Sequence, residues 1–527
     1  MDVTKSNFPS VASHFERLLS ACEFVAFDEE MTGITLPERK ERVLDPLEQT
    51  YDAKRCAAER YSVIQVGLCL FERGTVPGTY LARPFNFYVF PSSENALRSS
   101  GRPITLEPEA IAFNRRHGMD FQRWVYEGVG YCNAKEEATF VDYLQRTSAP
   151  AKPVRLADPA DIETADRVVQ HVKAWIADPT TAPDLVLPHV ASRVVRKYIE
   201  GEFPLVAFWH RGKTWTASRG GKAPDDAADR LAAYVGFRSV FKMLVAAKKP
   251  IVGHNVLMDI LFLISSVDKV IPSDLRGLRA YMADAFPEVW DTKILATCSD
   301  EVESMFESTS LQNIFTTFTP DGVLRGITLP LGFERYTDVL KNRQKRKPTV
   351  AGLAHEAAYD ALCTGYVYLQ LREALAANGP LLASCRNVLA VFKSLHAIDL
   401  SVNSSRDVWL PRGPVLALTY PASVTDLEVQ SSLAPLKGKI SWPEEGTAVA
   451  LLETGQDTTL ALAHYANNTI GIAARVVNSQ SLPMRPIQPS PPLISSRVAV
   501  ATAASLEAAA GIAKTPVRTF LKSFFKF

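Results

Sequence analysis

The segment Phe24-Val25-Ala26-Phe27 runs directly into Asp28-Glu29-Glu30. Four apolar residues of this kind belong inside a sheet, but three consecutive carboxylates do not, so the strand has to end where its acidic tip meets solvent or a counter-charge. Side chains alternate between faces along a strand, so Asp28 and Glu30 project together while Glu29 points away. Two convergent carboxylates can hold a divalent metal. A solvated acidic turn fits this fragment equally well.

Two further segments sharpen the choice. In Ile251-Val252-Gly253-His254-Asn255-Val256-Leu257-Met258-Asp259 a short strand passes through a glycine into a helix, and Asp259 interrupts the apolar run VLMDILFLI. A carboxylate in such surroundings is costly without a cation, and the flanking residues leave little polar face for it. Further on, His355-Glu356-Ala357-Ala358-Tyr359-Asp360 enters a helix rich in Ala, Leu and Tyr. At about 100° per residue, His355 and Asp360 would stand roughly 140° apart on one helix, so both reach a common site only if His355 lies in the loop ahead of it.

The surrounding pattern is that of an α/β protein. EFVAFDEE, YSVIQVGLCLF and FNFYVFP read as strands, and Glu107–Arg116 as a helix. Ala149-Pro150-Ala151-Lys152-Pro153 interrupts the pattern as a linker would. Helices are expected over Asp161–Ala177, Leu185–Glu200 and Pro224–Ala247, with short strands at Pro204–His210 and Thr214–Ser218. Because the α/β pattern resumes afterwards, residues 155–235 read as a small domain inserted into a core made of 1–154 and 236–396. A helical stretch is expected around Leu381–His396. Residues 397–480 then follow a βαββαβ order, the ferredoxin-like arrangement of RNA-recognition motifs. The proline-rich run SLPMRPIQPSPP opens a tail, 481–527, with no expected fixed structure.

A length of 527 residues suits about three domains. The formal net charge is only +1, so any nucleic-acid site has to be a local patch. The seven cysteines form no CxxC pair, which argues against zinc and a disulfide framework and suits a reducing compartment, the cytoplasm, the nucleus or both. The N-terminal MDVTKSNFPSVASHFERLL lacks the long apolar run of a signal peptide. The alanine-rich Val498–Ala513 is too short for a bilayer and contains Glu507, so no stable membrane insertion is expected.

Together, Asp28, Glu30, Asp259 and Asp360 with His355 provide what two-metal phosphodiester hydrolysis needs. Hard carboxylate oxygens suit two Mg²⁺ ions, with Mn²⁺ as a substitute, and an imidazole can accept the proton of the attacking water. FVAFDEEMTGI, IVGHNVLMD and HEAAYD, in this order, resemble the exonuclease motifs of the DEDD superfamily, histidine-containing subclass. SNF near the start, FNFYVFP and the DTK beginning at Asp291 narrow the resemblance to the poly(A)-specific ribonuclease family of 3′-exoribonucleases, over about residues 1–478.

This resemblance implies an RNase H-like core that degrades single-stranded poly(A) from the 3′ end, releases 5′-AMP and works as a homodimer. It implies metal binding by Asp28, Glu30, Asp259 and Asp360 and a general base in His355. Ile34 and Asn255 fall in motifs bordering the family's substrate groove, and Met31 stands where relatives usually carry an aromatic residue. The inserted domain resembles the family module named for an arginine and a histidine four residues apart, although here Arg193 is followed by Lys197; Arg193, Arg196 and Lys197 can contact phosphates or face solvent. Trp442, before Pro443, Glu444 and Glu445, resembles the family's tryptophan that stacks on the mRNA 5′ cap; packing is its alternative. The basic run Lys341–Lys347 suits RNA attraction, nuclear import or a solvated loop. RTFLKSFFKF in the tail suits membrane or RNA contact, or no fixed structure. No aromatic residue stands in TAVALLE, so readout of RNA through that sheet is doubtful and a dimerisation or packing role competes with it. Two readings stand beside a deadenylase: a trimmer of non-coding RNA 3′ ends and a catalytically silent RNA-binding scaffold. All five catalytic positions are filled, which argues against the scaffold.

Overall fold

The computed structural model describes residues 1–93, 102–148, 154–178, 182–203, 206–211, 214–218, 227–337, 355–401, 407–444, 446–453, 455–466 and 470–478. The linker at 149–153, the basic run at 341–347, the proline-rich run and the 481–527 tail lie outside these residues, as does the side chain of Trp442. Among the described residues no helix is long and apolar enough to cross a membrane.

The core is built on a mixed sheet of β1 (Asp2–Val3), β2 (Phe24–Met31), β3 (Val63–Arg73), β4 (Tyr80–Pro91) and β5 (Val129–Tyr131). After the inserted strands β6 (Asp184–Leu187), β7 (Ala207–Arg211) and β8 (Thr214–Ser218), it is completed by β9 (Ile251–Gly253), β10 (Val289–Asp291) and β11 (Ile327–Thr328). Its order is β1-β4-β3-β2-β9-β10, with β5 and β11 also pairing on β4. β2, β3 and β4 run antiparallel, whereas β9 joins β2 in parallel. Strand alternation divides β2 between two cores. Phe24 and Ala26 pack on the helix Ala357–Ala374, while Val25 and Phe27 pack towards the helices Phe8–Ala21, Phe237–Ala247 and Leu257–Val267.

Gly67 shows how closely the first of these helices approaches. It pairs with Asp28 across β2 and β3, and a Cβ there would lie 2.0 Å from the Ala357 carbonyl oxygen. Only a glycine lets the helix begin directly over the acidic strand end.

The expected helix Pro224–Ala247 is two helices, Ala227–Val235 and Phe237–Ala247, divided at Gly236. Gly236 has φ +44°, and a Cβ there would meet the Gly130 carbonyl oxygen at 1.9 Å. Of the two, Ala227–Val235 packs on the helix Ala134–Ser148, with Tyr234 and Val235 buried against Phe140 and Leu144. Residues 159–218 gather a separate core of Val168, Val172, Trp175, Ile199 and Trp215, with strand order β6-β8-β7. The expected helix Leu185–Glu200 is instead β6 followed by the helix Arg193–Glu202, which the Ser192 hydroxyl caps by accepting from Val195 N–H; Pro188, with no N–H to donate, stands between them.

The expected helical stretch Leu381–His396 is also different. The helix Gly379–Ser384 stops early, and β12 (Val388–Leu389), β13 (His396–Asp399) and β14 (Val408–Trp409) form a small sheet. Asn387 ends the helix by taking φ +61° and exchanging hydrogen bonds with Val289, whose carbonyl accepts at 2.9 Å and whose N–H donates at 2.7 Å. Those bonds pull the chain alongside β10, where a helix would leave them unmade.

The C-terminal strands β15 (Val415–Thr419), β16 (Gly438–Glu444), β17 (Thr447–Leu452) and β18 (Ala473–Val477) form an antiparallel sheet ordered β16-β17-β15-β18. Leu416, Leu418, Ala448 and Ala450 face the helices Asp426–Leu433 and Thr458–Ala466. The other face is covered as well: Val415, Ala417, Val449 and Val477 pack with Val43 and Leu395 of the preceding chain.

Candidate active site

Asp28 and Glu30 leave the end of β2 on the face of the Ala357–Ala374 helix, opposite Gly67 and Gln65 of β3. Asp259 comes from the opposite side of the sheet, in the first turn of Leu257–Val267, and is only 9% exposed. It reaches the strand end because its Oδ1 accepts the Glu29 N–H at 3.0 Å. Asp360 sits in the first turn of Ala357–Ala374, where its Oδ2 accepts the His355 N–H at 2.9 Å. His355 stands ahead of that helix with φ +70°, as the spacing argument requires, and its Nδ1 lies 4.0 Å from the same Oδ2. Ligand atoms of Glu30, His355 and Asp360 fall within 4.8 Å of one another.

The electrostatics of this cluster are those of buried acids crowded together. Burial, then the charges of Asp259, Asp360, Glu30 and Glu29, hold the Asp28 carboxyl well above the usual carboxylate range. Burial raises Glu30 likewise, with Asp360 and Asp259 adding to it. Asp259 and Asp360 are each pushed up to about 7, chiefly by burial. A donor set of converging hard oxygens whose strongest neighbours are other carboxylates fits divalent cations, which would remove the repulsion. Burial, helped by His117, lowers His355 to about 4, so its imidazole is neutral near pH 7 and able to accept a proton.

Asn255 takes φ +56°, and its N–H donates to Asp291 Oδ1 at 2.8 Å. Asp291 is wholly buried and also accepts from Lys293 N–H at 2.9 Å and Ala390 N–H at 3.0 Å. The carboxylate thus ties the turn after β9 to the end of β10 and to the chain after β12. Ile34 is 46% exposed, in a loop whose N–H groups at Ile34 and Thr35 donate to Glu107 Oε2 at 2.8 and 3.3 Å. Met31 is half-buried against the core on the Glu29 side of the sheet, and its carbonyl accepts from Asn114 Nδ2 at 3.0 Å. Trp442 is placed only to the extent that β16 contains it. In the inserted module Arg196 Nη1 donates to the Val190 carbonyl at 2.6 Å, while Arg193 and Lys197 are exposed one turn apart.

Three neighbours of the cluster lie outside the residues that the motifs single out. Glu29, on the closed face of β2, is 5% exposed among Val63, Val66, Val89 and Phe237, with no hydrogen-bond partner for either carboxylate oxygen among the described residues. Burial, with Asp259 adding to it, raises its carboxyl well above the usual range. Phe113 and His117, at the end of the helix Pro108–Arg116, lie against His355. Nothing in FNRRHGMD marks them, because only the fold brings residues this distant in sequence together.

An RNase H-like α/β core with acids from one strand end and two helices around a histidine defines a ribonuclease. The chain belongs to the CAF1 family of ribonucleases, whose description, CAF1 family ribonuclease, matches residues 3–368. It is 26% identical over 429 residues to the Arabidopsis thaliana poly(A)-specific ribonuclease PARN, covering 70% of this chain but 62% of that protein. It is 24% identical over 511 residues to the Bombyx mori pre-piRNA 3′-exonuclease trimmer, covering 89% of this chain and 92% of that one. Among solved structures it is similar to S. pombe Pop2p in its Mg²⁺- and Mn²⁺-bound form, with 14% identity, a TM-score of 0.37, and coverage of 74% of this chain and 98% of the other.

Proposed function

We propose that this ribonuclease is a divalent-metal-dependent 3′-to-5′ exoribonuclease that removes adenylates from single-stranded RNA and releases 5′-AMP. The observation that carries the reading is the convergence of Asp28, Glu30, Asp259 and Asp360, from three separate elements, beside a neutral His355. These carboxylates would hold two Mg²⁺ or Mn²⁺ ions, which supply Lewis-acid stabilisation of the scissile phosphate and of the leaving 3′-oxygen. His355 takes the proton of the attacking water, and Asp360 anchors its backbone. Ile34 and Asn255 border the groove that receives the terminal nucleotides. Homodimer formation, cap binding through Trp442, and residence in the cytoplasm or nucleus belong to the same proposal.

A second reading, trimming of non-coding RNA 3′ ends, draws on a specific observation: a relative aligned over 89% of this chain and 92% of its own is a pre-piRNA 3′-exonuclease trimmer. One assay separates the two. The full chain is incubated with 5′-labelled RNAs ending in A, U or C tracts, with Mg²⁺ or EDTA, beside an Asp28→Asn variant. Metal-dependent shortening of the A tract alone, lost in the variant by about 10³-fold or more, is the deadenylase result. Equal shortening of all tracts indicates a general trimmer, and no shortening with RNA still bound removes the enzymatic reading.

A further inference from the structure

The His355 backbone is anchored through its N–H to Asp360, but the direction of its imidazole depends on what the ring packs against. Its ring centroid lies 4.3 Å from that of His117 and 4.6 Å from that of Phe113, both edge-on at 63° and 72°. Phe113 and His117 are themselves 4.2 Å apart, so the three rings close a triangle. His117 is fixed within it. Its Nδ1 lies 2.9 Å from the Phe113 carbonyl oxygen, which can only accept, so Nδ1 carries the hydrogen. Edge-to-face aromatic contacts set ring orientation as well as burying area.

The helix that supplies this wall also holds the end of β2 and the loop after it. Glu107, at its N-terminus, holds the Ile34–Thr35 backbone, and Asn114 holds the Met31 carbonyl. One short element therefore spans from the substrate loop to the histidine.

We propose that His117, backed by Phe113, is a positioning residue for the reaction, holding the His355 imidazole in the orientation in which it accepts the proton of the attacking water. The inference rests on the reading of His355 as the base. Neither residue touches the reacting atoms in this account; each acts through His355.

The test uses the full chain on an RNA ending in adenylates, with His117→Ala, His117→Phe, His355→Ala and the His117→Ala/His355→Ala double variant. The expected result is a kcat about tenfold lower for His117→Ala with KM within about twofold, and kcat within about threefold of the parent for His117→Phe, which keeps a ring edge against His355. In the His355→Ala background, His117→Ala should cost nothing further. The same tenfold loss in that background, or a loss confined to KM, overturns the proposal. A second readout needs no activity: the rate at which diethyl pyrocarbonate modifies His355, followed by peptide mass spectrometry, should rise several-fold in His117→Ala. An unchanged rate overturns the positioning role. A raised rate in a protein without nuclease activity supports the role and refutes only the catalytic reading on which it was built.

Discussion

The core sheet and the C-terminal sheet are built from the same alternation of apolar residues, yet they expose different parts of themselves. In the core sheet both faces are buried, and the polar chemistry sits where β2 ends, with Asp28 and Glu30 meeting Asp259 and Asp360. In the C-terminal sheet the surface that an RNA-recognition motif turns to RNA, on the two central strands β15 and β17, carries Val415, Ala417 and Val449 and is packed against Val43 and Leu395. The difference separates two uses of a sheet. Beyond Ala26 the pairing of β9 stops while β2 runs on beside β3, so side chains from several elements can converge there, whereas a covered face can only hold domains together.

The strand end is where the largest effect is expected. Asp259 and Asp360 are raised to about 7 in the folded protein, against about 3.9 for an unperturbed aspartate. Without metal the folded protein therefore binds protons that the unfolded chain releases, and its stability falls as pH rises from about 4 to about 7. Divalent ions select the deprotonated carboxylates and reverse that disadvantage. Mn²⁺ at about a thousand times its Kd should add about 4 kcal/mol, increasingly so towards pH 8. Thermal melts at pH 5.5, 7 and 8, with EDTA and with Mn²⁺, check this; a metal-free melting temperature that climbs over that range would refute it.

The covered face of the C-terminal sheet gives the next effect. Ala417→Asp puts a carboxylate into the contact with Val43 and Leu395 and should cost about 3 kcal/mol. The loss should appear as an early urea transition in which the C-terminal sheet leaves the core, while turnover of a short oligoadenylate stays within about threefold. If RNA binding falls and the urea transition stays put, this face contacts RNA and the contrast between the sheets disappears.

The candidate site was more legible in the sequence than its supports. Asp28, Glu30, Asp259, His355 and Asp360 could be found because each breaks a local pattern: acids at the tip of an apolar strand, an acid inside an apolar helix, a histidine ahead of a helix start. The ferredoxin-like order could be read from its alternation of elements, but what covers its sheet depends on Val43 and Leu395, which the linear pattern does not connect to it. Helix ends were misplaced where one residue decides. Gly236 divides a helical run by its positive φ, and Asn387 ends another through bonds to a strand about a hundred residues earlier. Phe113, His117 and Glu107 looked like ordinary helix and loop residues because their roles exist only in the contacts.

The smallest effect separates the two faces of β2 itself. Asp28, Glu29 and Glu30 are consecutive, but alternation sends Glu29 to the closed side, among mostly apolar residues with Tyr131 and Ser266 beside them, where its carboxylate oxygens have no partner among the described residues. Burial, with Asp259 adding to it, raises its carboxyl, so the folded protein disfavours the charged form more than the unfolded chain does and loses stability as pH rises above the unfolded glutamate range. Glu29→Gln keeps the shape and removes that penalty. The Glu29 contact with Asp259 is made by the backbone N–H, so it survives the substitution. The variant should therefore keep its nuclease activity and gain about 1–2 kcal/mol at pH 8, with the gain vanishing near pH 4.5, where the unfolded glutamate is itself about half protonated. Urea titrations at the two pH values make the comparison. A gain of the same size at both would mean that the amide finds a partner the acid lacks, and that the closed face of the strand does not penalise charge.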